Sequence, residues 1–246
     1  MFPIRDHNPS GRVPYVTYAL MAANIGIFLS MLPITGDERA LAQLYYDYAL
    51  LPRRVMEGDG TGALLSSQFL HGGFLHLAGN MLFLYVFGDN VEDEMGHMPF
   101  LVFYLGAGVL SGLSHVVTDP ASFIPTIGAS GAVAGVMGGY LLLFPKARVD
   151  ILLILIVFFK IFPIPAWIML MLWFAMQFVG GLSAVPGTGG VAYWAHAGGF
   201  IAGILLTLPL WLKRGGPAFW RATDGQPPHP EAQYIRPSSL PKVKRK

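Results

Sequence analysis

Residues 127–145 read IGASGAVAGVMGGYLLLFP, with no charged side chain anywhere in the run. The run approaches the roughly 20 mainly apolar residues that cross a bilayer as a helix. Gly131, Gly135 and Gly139 recur at every fourth position. Such a stripe lets two helix backbones approach closely where lipid gives no hydrophobic drive for association. The stretch reads as a membrane span with one face shaped to receive another helix.

Comparable apolar stretches lie at 13–34, 71–91, 99–118, 151–180 and 192–212, which makes six in all. Only 12% of the 246 residues are charged, about half the share of a soluble domain. No acidic residue occurs between Asp150 and Asp224, and Lys160 is the only Lys or Arg between Arg148 and Lys213. A soluble fold could not solvate so long a stretch. The expected class is an all-α membrane protein with six transmembrane helices. A net charge of +2 offers no broad field for nucleic acid. The absence of cysteine excludes disulfides and thiolate chemistry.

Val13–Ile34 is too long for a signal-peptide core and reads as the first span. The stretch 151–180 is too long for one straight helix, and Pro163 and Pro165 interrupt it. Ile151–Phe159 is therefore expected to be a membrane-embedded connection, followed by a span at 165–180. Arg5, Arg12, Lys146, Arg148 and the basic residues from Lys213 onward fall on one side of such a bundle. Arg39, Arg53 and Arg54 alone fall on the other. The positive-inside rule then predicts a multi-pass protein of the cell (inner) membrane with both termini cytoplasmic. The expected organisation is a cytoplasmic segment 1–12, a six-span domain 13–213 with an outer loop 35–67, and a disordered basic tail 214–246. Tyr45, Tyr46 and Tyr48 in the outer loop suit a lipid interface.

Three polar motifs begin even-numbered spans: His71 to Asn80, Gly128 to Gly131, and Ala195 to Gly199. Even-numbered spans start on the outer side, so all three motifs share one depth. Ser130 flanks its glycine stripe, and His196 flanks Ala195, Gly199 and Gly203. Packing stripe against stripe could bring the Ser130 hydroxyl to the His196 imidazole, the base that a serine nucleophile needs. His76 and Asn80 are four residues apart on one helical face. With the Ser130 N–H they could supply donors to an oxyanion. Taken singly, each residue is also compatible with helix packing or an interhelical polar link. Their coincidence at one depth favours a site.

Other chemistries lack their parts. There is no His-Glu-x-x-His run for zinc, no carboxylate pair inside the spans, and no acid near the sixth span to complete a triad. A serine–histidine dyad without metal or cofactor remains. His7, His97 and His229 read as solvated, and His115 as structural.

These motifs closely resemble the rhomboid family of intramembrane serine proteases, in its prokaryotic type. The resemblance rests on Gly128-Ala129-Ser130-Gly131, on His71 with His76-x-x-x-Asn80, and on Ala195-His196-x-x-Gly199-x-x-x-Gly203. Phe87–Asp93 also resembles the end of the family's second helix. It implies a six-helix rhomboid-like bundle, with Ser130 as nucleophile and His196 as general base. It implies an oxyanion hole from His76, Asn80 and the Ser130 N–H, with His71, Gly128, Gly131, Gly199 and Gly203 in support. Substrates would be transmembrane proteins cut beside a small residue, within membrane lipid, and Glu92 would tie helix ends together. Two departures stand out. Ala134 occupies the place where some members carry a tyrosine that stacks on the histidine, and no tryptophan precedes Trp167 to anchor the outer loop. The rival expectation is a catalytically silent rhomboid-like protein that binds membrane clients.

Overall fold

Where the sequence is continuously apolar, the backbone can satisfy its polar groups only within itself, and it does so as helices. The computed structural model describes residues 2–155, 158–185 and 189–230. The long apolar helices are α1 (Tyr15–Met31), α5 (Phe74–Met95), α6 (His97–Thr118), α7 (Ser130–Leu143), α8 (Ala166–Ser183) and α9 (Tyr193–Lys213). The segment from α1 to α5 adds three short helices, α2 (Glu38–Tyr48), α3 (Pro52–Met56) and α4 (Ala63–Ser66). The spans around α1, α6, α8 and α9 are long and apolar enough to cross a membrane. Residues 63–69 meet α5 at 97°, and that bent pair would make a fifth span. α5 carries Asp89, Glu92, Asp93 and Glu94 near its end. α7 has only 14 residues, about 21 Å of helix against a hydrocarbon core of about 30 Å.

α7 is the axis of the bundle. Every residue from Gly131 to Tyr140 is buried. α5, α6, α8 and α9 pack around it. The faces that α1 and α8 turn outward keep large apolar side chains exposed, such as Leu29, Trp167 and Leu172, as lipid-facing helices do.

The far end of the bundle from Ser130 is not helical. Arg148–Leu155 (β2) and Phe158–Pro165 (β3) form an antiparallel hairpin, and Phe2–Asp6 (β1) adds to it in the order β1-β2-β3. The connection expected at Ile151–Phe159 is, over its described residues, part of this strand pair. Pro163 and Pro165 do stop a helix, but they do so by sitting on the edge strand β3, where a missing N–H costs no ladder bond. The tail expected to be disordered begins with a short helix, α10 (Pro217–Thr223), whose Trp220 ring lies 4.8 Å from Trp211. Residues 231–246 lie outside the described part.

Buried carboxylates knit this end. Glu92, 1% exposed, accepts from the backbone N–H groups of Val16 and Thr17 at 2.9 and 2.7 Å and from the Thr17 hydroxyl at 2.7 Å. It thus caps the start of α1 from the end of α5. His97, expected to be solvated, is hydrogen-bonded to the same carboxylate at 2.5 Å. His7 pairs with Asp150 at 2.7 Å and His229 with Asp93 at 2.9 Å, so neither is merely solvated. Gly96 makes the single-residue break between α5 and α6 at φ +82°, a backbone state that favours glycine. Asp6 on β1 accepts from Asn90 on α5 at 2.5 Å and from Tyr140 on α7 at 3.1 Å. Burial, and then the charge of Asp89, push the Asp6 carboxyl up to about 8.

Replacing Glu92 with Ala leaves several buried donors without an acceptor and is expected to cost about 3 kcal/mol. Unfolding of the purified protein in detergent measures it, and a loss under about 1 kcal/mol would contradict the capping role. Asp6 binds its proton more tightly folded than unfolded, where the ordinary value is 3.8. Its stabilising effect is complete below that value and is lost as pH rises towards about 8. Stability should therefore fall between about pH 4 and 8, and Asp6→Asn should flatten that slope. Identical slopes in the two proteins would refute this.

Candidate active site

α7 and α9 meet backbone to backbone. A Cβ on Gly199 would strike the carbonyl oxygen of Gly131, and one on Gly203 the carbonyl oxygen of Gly135. In the reverse direction, a Cβ on Gly138 would strike the carbonyl oxygen of Phe200. α6 closes the same corner: Ser111 Oγ donates to the Ala195 carbonyl at 2.7 Å, and Ser114 Oγ to the Trp194 carbonyl at 3.1 Å. The first turn of α9 is therefore fixed against both neighbours.

This packing brings Ser130, the first residue of α7, to His196 in the first turn of α9. Ser130 Oγ and His196 Nε2 are 2.7 Å apart. The N–H groups opening α7 have no acceptor within the helix, and the macrodipole adds positive potential there. His76 and Asn80 line the same cavity of about 560 Å³ as Ser130 and His196. All four sequence-predicted residues thus share one site. His115, read as structural, also lines it.

Asn80 is not simply free in the cavity. Its amide Nδ2 lies 2.9 Å from Nε2 of buried His71, and as a donor it pairs with the lone pair of that nitrogen. One amide N–H remains available. The His71 ring also meets the His76 ring edge to face, with centroids 5.0 Å apart. His71 thereby holds both neighbours. Gly128 has φ +127°, and a Cβ there would lie 2.7 Å from His76 Nε2 and 3.6 Å from Ser130 Oγ. Only glycine keeps the gap between those two atoms open.

The outer loop holds the approach to Ser130. Leu50 and Thr126 exchange backbone hydrogen bonds at 3.0 and 2.9 Å, and Gly128 N–H donates to the Ser67 carbonyl at 2.9 Å. Arg54 ties the loop together from within. It stacks over Tyr46 at 4.1 Å, donates to the Tyr46 carbonyl, and pairs with Asp59 at 2.6 Å.

Sequence reading missed two residues, both on α8. Gln177 Oε1 lies 2.8 Å from His196 Nδ1. Trp173 lies against the His196 ring, with centroids 5.8 Å apart and planes at 32°. They stand where Ala134 could not reach. Gln177 carried a signal: it is the lone amide in an otherwise apolar helix.

The comparisons agree with the motifs. The rhomboid domain model matches residues 60–213. The RHOMBOID-like protein 5 of Arabidopsis thaliana is 38% identical over 91 residues, 37% of this chain and 29% of that protein. The mitochondrial Rhomboid protein 1 of Saccharomyces cerevisiae is 29% identical over 197 residues, 77% of this chain and 51% of that one. The rhomboid protease GluP of Bacillus subtilis is 34% identical over 128 residues, 52% of this chain and 24% of that one. The chain spans only about a quarter to a half of the length of these curated relatives.

Gly199→Ala and Gly203→Ala should each destabilise by about 1–3 kcal/mol, because a methyl group meets backbone. Gly26→Ala, with no atom within 4 Å of the new methyl, should be neutral or slightly stabilising. Equal effects at the three positions in detergent unfolding would refute the close α7–α9 contact.

Proposed function

Since this chain belongs to the rhomboid family and is a multi-pass membrane protein, we propose that it is an intramembrane serine endopeptidase acting on transmembrane segments of other proteins. The observation that carries the proposal is the 2.7 Å contact of Ser130 Oγ with His196 Nε2, in a cavity also lined by His76 and Asn80. The protease GluP among its relatives supports the reaction class.

In the proposed reaction, Ser130 Oγ attacks the substrate carbonyl while its proton passes to His196 Nε2. The carbonyl oxygen becomes an oxyanion and accepts from the Ser130 N–H, from His76 and from the free N–H of Asn80. The intermediate collapses, the C–N bond breaks, and His196 returns the proton to the leaving amine. Water then attacks the acyl-enzyme, giving its proton to His196 and releasing Ser130 and the new carboxylate. Gly131, Gly199 and Gly203 set the separation of nucleophile and base. Gly128 keeps room for the oxyanion, and His71 holds its donors.

Six spans over 13–213, termini in the cytoplasm and residence in the cell membrane complete the proposal. The positions of Lys and Arg support that orientation. It places the sheet on the inner side and Ser130 on the outer side.

Purified protein should cleave a labile transmembrane substrate in detergent or vesicles, and Ser130→Ala should lower that rate by about 10⁴-fold or more. Equal cleavage by both proteins would refute the assignment. No cleavage by the wild type, with no labelling of Ser130 by several fluorophosphonates, would favour a silent client-binding protein.

A further inference from the structure

We propose that Gln177 is the positioning residue of this site, holding His196 in the one neutral tautomer that can take a proton from Ser130. The inference rests on the protease reading and adds to it the group that orients the base.

The argument begins with the Gln177 amide. Its side chain is 8% exposed on α8, a helix with no Asp, Glu, Lys, Arg or His. The amide Nε2 donates to the carbonyl of Trp173 one turn earlier, at 3.4 Å. A flipped amide would set oxygen against that carbonyl oxygen, so this long contact favours the direction in which the amide oxygen faces His196. Its oxygen therefore faces His196 Nδ1 at 2.8 Å. An amide oxygen can only accept, so Nδ1 must carry the hydrogen. The other nitrogen, Nε2, then presents its lone pair to Ser130 Oγ at 2.7 Å. Without Gln177 the two tautomers of imidazole are free to exchange, and the one protonated at Nε2 cannot accept the serine proton.

The remaining neighbours of His196 do not provide this. His76 on α5 and His115 on α6 are the titratable groups that act on it, and neither donates to it or accepts from it among the described hydrogen bonds. α7 contributes the Ser130 hydroxyl, and α8 no ionisable group. Trp173 lies beside the ring and limits its tilt, but its indole cannot choose between the two nitrogens. Gln177 does what the acid of a triad does for tautomer and orientation, without adding a charge within the bundle. It does not line the cavity of Ser130, and its contact with the site is through His196.

Gln177→Met keeps length and flexibility and removes the acceptor. Gln177→Glu keeps an acceptor and adds charge. Two readouts separate this proposal from the protease reading. The first is nitrogen-15 NMR of the His196 ring in full-length protein, assigned against His196→Asn. The wild type should be protonated at Nδ1 in the neutral state, Gln177→Met should show a mixture, and Gln177→Glu should return to Nδ1. The second is the pH profile of cleavage. Gln177→Met should lose about 10²-fold in kcat with KM little changed. Gln177→Glu should recover much of that loss, with the acid limb moved to higher pH, because a carboxylate favours the imidazolium. If Gln177→Met keeps the wild-type tautomer, or keeps kcat within about threefold, the proposal is wrong. If Gln177→Met does not fold, Gln177→Glu decides: an acid limb where the wild type has it overturns the proposal. If the wild type cleaves nothing, the protease reading fails, and the NMR still judges the role of Gln177.

Discussion

The carbonyl oxygens of Gly131 and Gly135 lie against the α-carbons of Gly199 and Gly203, and the rest of the site depends on that contact. In lipid, apolar surface gives helices no reason to prefer one another over acyl chains, so their association rests on close packing and on hydrogen bonds. α7 and α9 use the first, and the two serines of α6 supply the second. Ser130 immediately precedes Gly131, and His196 stands three residues before Gly199. The separation of those side chains therefore follows from the separation of the two backbones. A methyl group at the seam would act on the hydroxyl–imidazole contact without touching either residue.

The ends of the bundle keep that seam in register. At one end the outer loop is fastened through Leu50 and Ser67 to the strand-like approach that delivers Gly128 to Ser130. At the other, β1 carries Asp6 beneath α5 and α7, and Glu92 closes the start of α1. Polar side chains are thus concentrated where helices begin and stop, while the helix interiors hold few. Those few include Asn24, which bonds its own helix, and Gln177, which bonds His196.

Much of the site was legible because its parts are periodic. The small stripes of α7 and α9 are visible at a spacing of four, and each leads to a polar residue at its outer end. His76 and Asn80 share a helical face for the same reason. Gln177 and Trp173 escaped because the distance from α8 to His196 is a matter of tertiary packing, and no spacing within the chain encodes it. The hairpin at Arg148–Pro165 escaped for a different reason. A short apolar run rich in Ile and Phe suits a strand as well as an irregular connection, and its pairing partner lies some 145 residues away, at Phe2–Asp6. The histidines at 7, 97 and 229 sit in polar sequence, yet each meets a carboxylate: Asp150 and Asp93 come from distant parts of the chain, and Glu92 from just across the Gly96 break.

The central claim is that the close packing of α7 and α9, with His196 oriented from α8, makes one serine among many reactive. Peptide mapping of the purified protein after treatment with a fluorophosphonate tests this most directly. The account predicts a single phosphonyl adduct, on Ser130, that does not form in His196→Asn. An adduct on other serines but not on Ser130, or equal modification of Ser130 when His196 is replaced, would contradict it.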